Sequence, residues 1–137
     1  MRVLALDYGS ARCGCAVSDP TGTLATPIEP VLQAGSRRGR AQLRGLVSRY
    51  DVQLVLVGLP LSLSGGDSAQ TVEARAFAES LRHSLPVPVQ LCDERFTTRL
   101  AHRTGGRASE DSRAAAHLLE GWLAGQGART RAGDDDG

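Results

Sequence analysis

Val3-Leu4-Ala5-Leu6-Asp7-Tyr8-Gly9 is the stretch from which the fold can be read. Four consecutive apolar residues suit a strand buried on both faces, and the Asp-Tyr-Gly that follows breaks it with a turn. A second strand is predicted over Gly14 to Ser18. Asp19-Pro20-Thr21-Gly22 then has Asp at the first turn position, Pro at the second and Gly at the fourth, the signature of a type I turn. A third strand follows from about Thr23 to Ile28, stopping among Pro27 and Pro30. Short turns of this kind join neighbouring antiparallel strands, so the first three strands form a meander.

After Ser36 the apolar period changes. Leu43, Leu46, Val47 and Tyr50 fall at i, i+3, i+4 and i+7, one face of a helix whose opposite face is rich in arginine. Val52 to Val57 reads as a buried strand ending at Gly58-Leu59-Pro60. A second helix spans about Asp67 to Leu85 with Val72, Ala76, Phe77 and Leu81 inward. Val87 to Cys92 is a fifth strand. Ser112 to Ala124 is a last helix with Ala115, Leu118, Leu119 and Trp122 inward.

The order is therefore βββαβαβα. Helical crossovers join parallel strands and are right-handed, which places strands four and five parallel to strand one in a mixed five-stranded α/β sheet of order 3-2-1-4-5, flanked by helices. The carboxyl ends of strands one, four and five then open on one edge, where open α/β sheets place their sites. Asp7, Gly58-Leu59-Pro60 and Asp93-Glu94-Arg95 occupy those ends, and Asp111 opens the last helix near the same edge.

With 137 residues, 41% hydrophobic and 23% charged, the chain has the size and composition of one globular domain, expected over 1–124. The Gly- and Ala-rich stretch 125–137, with three aspartates before its last glycine, reads as a disordered tail. No apolar run approaches the roughly 20 residues that cross a bilayer, and Met1 to Asp7 is too short an apolar stretch for a signal peptide, so no membrane partner and a cytoplasmic location are expected. Three cysteines, Cys13, Cys15 and Cys92, lack zinc or redox spacing and read as reduced core residues. All 16 basic residues are arginine, whose planar fork suits phosphate. Setting aside Asp134 to Asp136, the remainder is mildly basic at about +4, which permits a nucleic-acid partner.

Taken singly, the acids have simpler readings. Asp7 could hydrogen-bond its own turn, Asp111 could cap a helix, and Asp93 and Glu94 point to opposite faces of a strand, so at most one of them belongs to a given site. Asp111, however, lies on the stripe of Ala115, Leu118 and Trp122, which must pack on the sheet. Carboxylates gathered there repel one another unless cations share the space. Hard divalent cations, Mg2+ or Mn2+, resolve the conflict, and two of them suit in-line attack on a phosphodiester. No serine–histidine–acid set is comparably placed: His83, His102 and His117 read as surface or packing residues.

At this point the chain resembles the YqgF/RuvX family over about Met1 to Ala124. The resemblance is carried by Leu6-Asp7-Tyr8-Gly9-Ser10-Ala11-Arg12-Cys13-Gly14-Cys15-Ala16-Val17-Ser18-Asp19, by Val57-Gly58-Leu59-Pro60-Leu61, by Asp93-Glu94-Arg95-Phe96-Thr97-Thr98, and by Asp111-Ser112 before Ala114-Ala115. The family is described as Holliday junction resolvases and as nucleases that mature the 5′ end of pre-16S ribosomal RNA. It implies a ribonuclease H-like fold, a two-metal phosphodiester nuclease, and catalytic, metal-holding roles for Asp7, Glu94 and Asp111. The resemblance is what selects Glu94 over Asp93. Three departures bear on the substrate: the segment between Thr98 and Asp111 is short, Ser62 and Ser64 stand where the family has Asn and Asp, and Glu110 replaces an apolar residue.

Arg12 and Arg95 flank the acids in sequence and are expected to contact a nucleic-acid backbone, the alternative being that each pairs with a neighbouring acid. The partner is precursor ribosomal RNA or branched DNA. A junction resolvase needs paired sites, which implies a homodimer on that reading. Two rivals have other logic. A phosphate-binding fragment of the actin and sugar-kinase type also opens with Asp-x-Gly but needs two domain copies, and a catalytically silent RNA-binding module has no use for three acids.

Overall fold

The computed structural model describes residues 1–60, 68–93 and 110–136, with the backbone alone at 110, 111 and 126–136. Its elements run β1 (Val3–Asp7), β2 (Arg12–Ser18), β3 (Ala25–Leu32), α1 (Arg37–Arg49), β4 (Leu54–Leu59), α2 (Ala69–Ser84), β5 (Val89–Asp93) and α3 (Glu110–Asp136). They form a five-stranded sheet of order β3-β2-β1-β4-β5. β2 is antiparallel to both β1 and β3, and β4 is parallel to β1 and to β5. The mixed sheet expected from the turns and crossovers is the one found.

Alternation along β1 divides the core. Leu4 and Leu6 join Cys13, Cys15, Val17, Val55 and Val57 under α1 and α2, where Leu43, Val47, Phe77 and Leu81 meet them. Val3 and Ala5 join Ala16, Leu54 and Leu56 under α3, against Ala115, Leu118 and Leu119. Val3, Leu4, Ala5 and Leu6 are all wholly buried, which is why this strand reads as a continuous apolar run. None of the three cysteines is in a disulfide among the described residues, and Cys13 and Cys15 are buried. His83 sits on the surface beside Glu79, and His117 is packed within the fold. His102 lies outside the described residues. No helix among the described residues is long and apolar enough to cross a membrane.

Several boundaries differ from the expectation for physical reasons. β3 runs through Pro27 and Pro30 to Leu32 rather than stopping among them. It is an edge strand, where a missing N–H is tolerated, and its pairing with β2 shifts register between Cys13 and Cys15. β4 starts at Leu54, because Asp51 takes a left-handed conformation and Val52 still bonds back to Val47 of α1.

α2 is rotated from its expected face. Thr71, Ala74, Phe77, Ala78 and Leu81 are buried, whereas Ala76 is exposed and Val72 is 58% exposed. The reason lies at the start of the helix. Ser68 and Thr71 form a capping box, and the Thr71 hydroxyl donates to the Pro60 carbonyl at 2.7 Å, which fixes the helix start to the end of β4. α3 opens at Glu110 rather than Ser112. The stretch from residue 125, read from composition as a tail, carries helical backbone as far as Asp136.

Candidate active site

β1 delivers Asp7 to the carboxyl edge of the sheet. By strand alternation Asp7 shares the face of Val3 and Ala5, the α3 side. Its partner across the antiparallel ladder is Gly14, so no side chain on β2 stands opposite it. The turn that follows is tight: a Cβ on Gly9 would lie 2.6 Å from the Arg12 carbonyl oxygen, closer than non-bonded atoms allow. Tyr8, between them, turns to the other face and stacks on Phe77 with ring centroids 4.4 Å apart. Burial, then the nearby Glu73 and Cys13, raise the Tyr8 hydroxyl above its ordinary pKa, so it stays a neutral phenol.

β4 and β5 complete the edge. Leu6 lies beside Val57, and Leu59 beside Asp93. Cys92 packs with the α3-side cluster, whereas Val89 and Leu91 belong to the α1/α2 side. Asp93 therefore follows Val89 and Leu91 onto the face opposite Asp7. Glu94 and Arg95 lie outside the described residues.

α3 brings the third acid's backbone to the same edge. Ser112 is wholly buried and its hydroxyl oxygen accepts from the Cys15 N–H at 3.2 Å. Cys15 sits at the register shift between β2 and β3 and directly follows Gly14, the partner of Asp7. One side-chain bond thus fastens the first turn of α3, where Asp111 lies, to the strand beside Asp7. Ala115 and Leu118 are buried and Trp122 is partly buried, so the stripe that these three form packs on the sheet. The Asp111 side chain itself lies outside the described residues.

Arg12 opens β2 at this edge and is exposed, with no ion pair among the described residues. Neither Ser112 nor Tyr8 is assigned a role by period or spacing alone. A hydroxyl on an otherwise apolar helical stripe was the available signal for Ser112. Among the described residues no three His, Cys, Asp or Glu side chains cluster as a metal site; two of the three expected acids, Glu94 and Asp111, have side chains outside that set.

The chain is similar to known proteins in sequence and in fold. The chain is 47% identical over 109 residues to a pre-16S rRNA nuclease of Streptomyces avermitilis, covering 79% of this chain and 69% of that one. It is 44% identical over 102 residues to the protein of that name in Koribacter versatilis, covering 74% and 67%. Among solved structures, Thermus thermophilus RuvC superposes with a TM-score of 0.58 at 19% identity, covering 93% of this chain and 97% of that one. The fowlpox virus Holliday junction resolvase gives 0.52 at 14% identity, covering 91% and 99%. At such identities these two show the fold alone, a ribonuclease H-like sheet with its helices. A family profile described as RuvX, Holliday junction resolvase, matches residues 1–125. The chain belongs to the RuvX family, and with it to the nucleases that hydrolyse phosphodiester bonds.

Proposed function

We propose that this chain is a divalent-metal-dependent nuclease that trims the 5′ end of precursor 16S ribosomal RNA, with Asp7, Glu94 and Asp111 as its metal-holding acids. The observation that carries the reading is the convergence at one sheet edge. Asp7 ends β1 on the α3 side opposite a glycine, and Ser112 ties the first turn of α3 beside it. The parity of β5 supports Glu94 as the partner, since Asp93 belongs to the other face.

The donor set fits the group. It consists of carboxylate oxygens with no thiolate or imidazole, the choice of Mg2+ or Mn2+ rather than zinc. Such ions supply activation of the attacking water and stabilisation of the leaving oxygen. The chain's own task is to hold three acids from separate elements within reach of one phosphodiester. Arg12 and Arg95 neutralise backbone charge on either side. The substrate assignment is supported by the names of the relatives.

A second reading, a resolvase of four-way DNA junctions working as a homodimer, is favoured by the family's description and by the likeness in fold to RuvC. One experiment separates the readings. Purified protein is offered a 5′-extended 16S precursor RNA, its DNA counterpart and a four-way junction, each with Mg2+ or Mn2+. Cleavage of the RNA in preference to both DNAs, abolished by Asp7→Asn in a folded protein, is expected. Preferred cutting of the junction by a dimer supports the second reading, and wild-type cleavage by Asp7→Asn removes Asp7 from the chemistry. Tight RNA binding with no cleavage leaves the silent RNA-binding module.

A further inference from the structure

The outer face of α1 is not accounted for by the fold. The helix contains Arg37, Arg38, Arg40, Arg44 and Arg49 and no acid, and none occurs anywhere between Glu29 and Asp51. Only Gly39, Leu43 and Val47 are buried. Arg40 donates to the Gly35 carbonyl at 2.6 Å, and Arg49 lies over the Tyr50 ring, so these two have structural tasks. The side chains of Arg37, Arg38 and Arg44 are exposed and have no ion pair or hydrogen bond among the described residues. On α2, by contrast, Glu79 pairs with both Arg82 and His83.

The placement also works against the helix. A helix N-terminus carries a partial positive charge and favours acids, yet the first turn of α1 has arginines and no acid. Ser36 still caps it, accepting from the Gly39 N–H at 3.0 Å. Charge placed against a local rule, with no partner among the described residues, points to a partner outside the fold.

The position of the helix says which partner. Leu32 pairs with Arg12, and the Gln33 N–H bonds the Ala11 carbonyl at 2.9 Å. A Cβ on Gly35 would lie 3.5 Å from the Tyr8 hydroxyl. The start of α1 is thus packed against the Tyr8 to Arg12 turn that follows Asp7, and Arg12, Arg37 and Arg38 share the edge where the acids converge. Arg44 continues the row about 10 Å along the helix. We infer that the exposed face of α1 docks the phosphodiester backbone of the substrate as it leaves the active edge, with Arg37, Arg38 and Arg44 as phosphate contacts. Arginine supplies charge and forked donors there and no base-reading geometry, so the grip is independent of sequence. The inference rests on the nuclease reading and extends it to the substrate beyond the cleaved bond.

The test compares wild type with an Arg37→Ala/Arg38→Ala/Arg44→Ala variant and with the corresponding triple lysine variant. Binding of a mixed-sequence single-stranded RNA of roughly 30 nucleotides is measured by anisotropy across a salt series in Ca2+, with an RNA of roughly 6 nucleotides as the short probe. Each lost phosphate contact removes about 0.7 units from the slope of log affinity against log salt, so the alanine variant should lose about 2 units on the long RNA. The lysine variant should keep the slope, and the melting temperature of the alanine variant should not fall. On the short RNA the alanine variant should lose less of the slope, since an RNA held at the active edge does not extend along the helix to Arg44. An unchanged slope for the alanine variant, or equal slopes for a folded alanine and lysine pair that both differ from wild type, overturns the docking surface. The slope is read from binding alone, so a wild type that binds without cleaving refutes the nuclease reading and still decides this one.

Discussion

Replacing Ser112 with alanine removes one oxygen atom and should be felt at both ends of the molecule. Ser112 is wholly buried, and its hydroxyl accepts the Cys15 N–H across 97 residues of chain. The N–H is left behind in a buried strand, where a donor without a partner costs about 1–3 kcal/mol. With an unfolding entropy of about 2.1 cal/mol/K per residue, a chain of 137 residues loses roughly 3–4 °C of melting temperature per kcal/mol. A fall of about 4–10 °C follows, measured by calorimetry or circular dichroism without metal. Ser112→Cys, which keeps the size and a weak acceptor, should fall between. Well below the melt, the alanine variant should also need more Mn2+ for half-maximal cleavage, because the turn that carries Asp111 is no longer fastened beside Asp7. A melting temperature within about 2 °C of wild type, below what one lost buried bond predicts, would refute the account of how α3 is held.

Gly9→Ala should destabilise by about 1–3 kcal/mol, since its Cβ meets the Arg12 carbonyl at 2.6 Å and backbone cannot swing aside. By moving the end of β1 it should also slow cleavage by about 100-fold, and an unaffected rate would separate the turn from the site. Asp19 accepts from the Thr21 hydroxyl and from the Leu24 and Thr23 N–H groups, which together hold its carboxyl well below the usual range. Its contribution is complete above the unfolded value of about 4 and is lost as pH falls toward the lower folded value. The melting temperatures of wild type and Asp19→Ala should therefore converge between pH 6 and pH 2, and a constant gap would contradict this. Mn2+ at 100 times its dissociation constant should stabilise wild type by about 2.7 kcal/mol and leave Asp7→Asn/Glu94→Gln/Asp111→Asn unchanged. An equal rise in that variant would place the metal elsewhere.

Much of the fold was legible because it depends on local period and on connection length. The run Val3 to Leu6, the turn Asp19-Pro20-Thr21-Gly22 and two helical crossovers suffice for the order β3-β2-β1-β4-β5. The Gly22 N–H bonds the Asp19 carbonyl and closes the turn. The same reading brought Asp7 and the start of α3 to one edge.

Other features were settled by contacts between distant parts. β3 could pass through two prolines only because it lies at the sheet's edge, and no local signal marks an edge. Val72 and Ala76 looked inward by period, but the Thr71 bond to Pro60 turned the helix and placed Thr71 and Ala74 there. Asp93 and Glu94 were equivalent in sequence, because alternation says that neighbours oppose and not which one faces a given layer. Packing of Cys92 under α3 assigns Asp93 to the other side. Sequence periodicity thus determined which elements form and in what order. The rotation of each helix and the face of each strand waited on the tertiary structure, since both are set by partners many residues away.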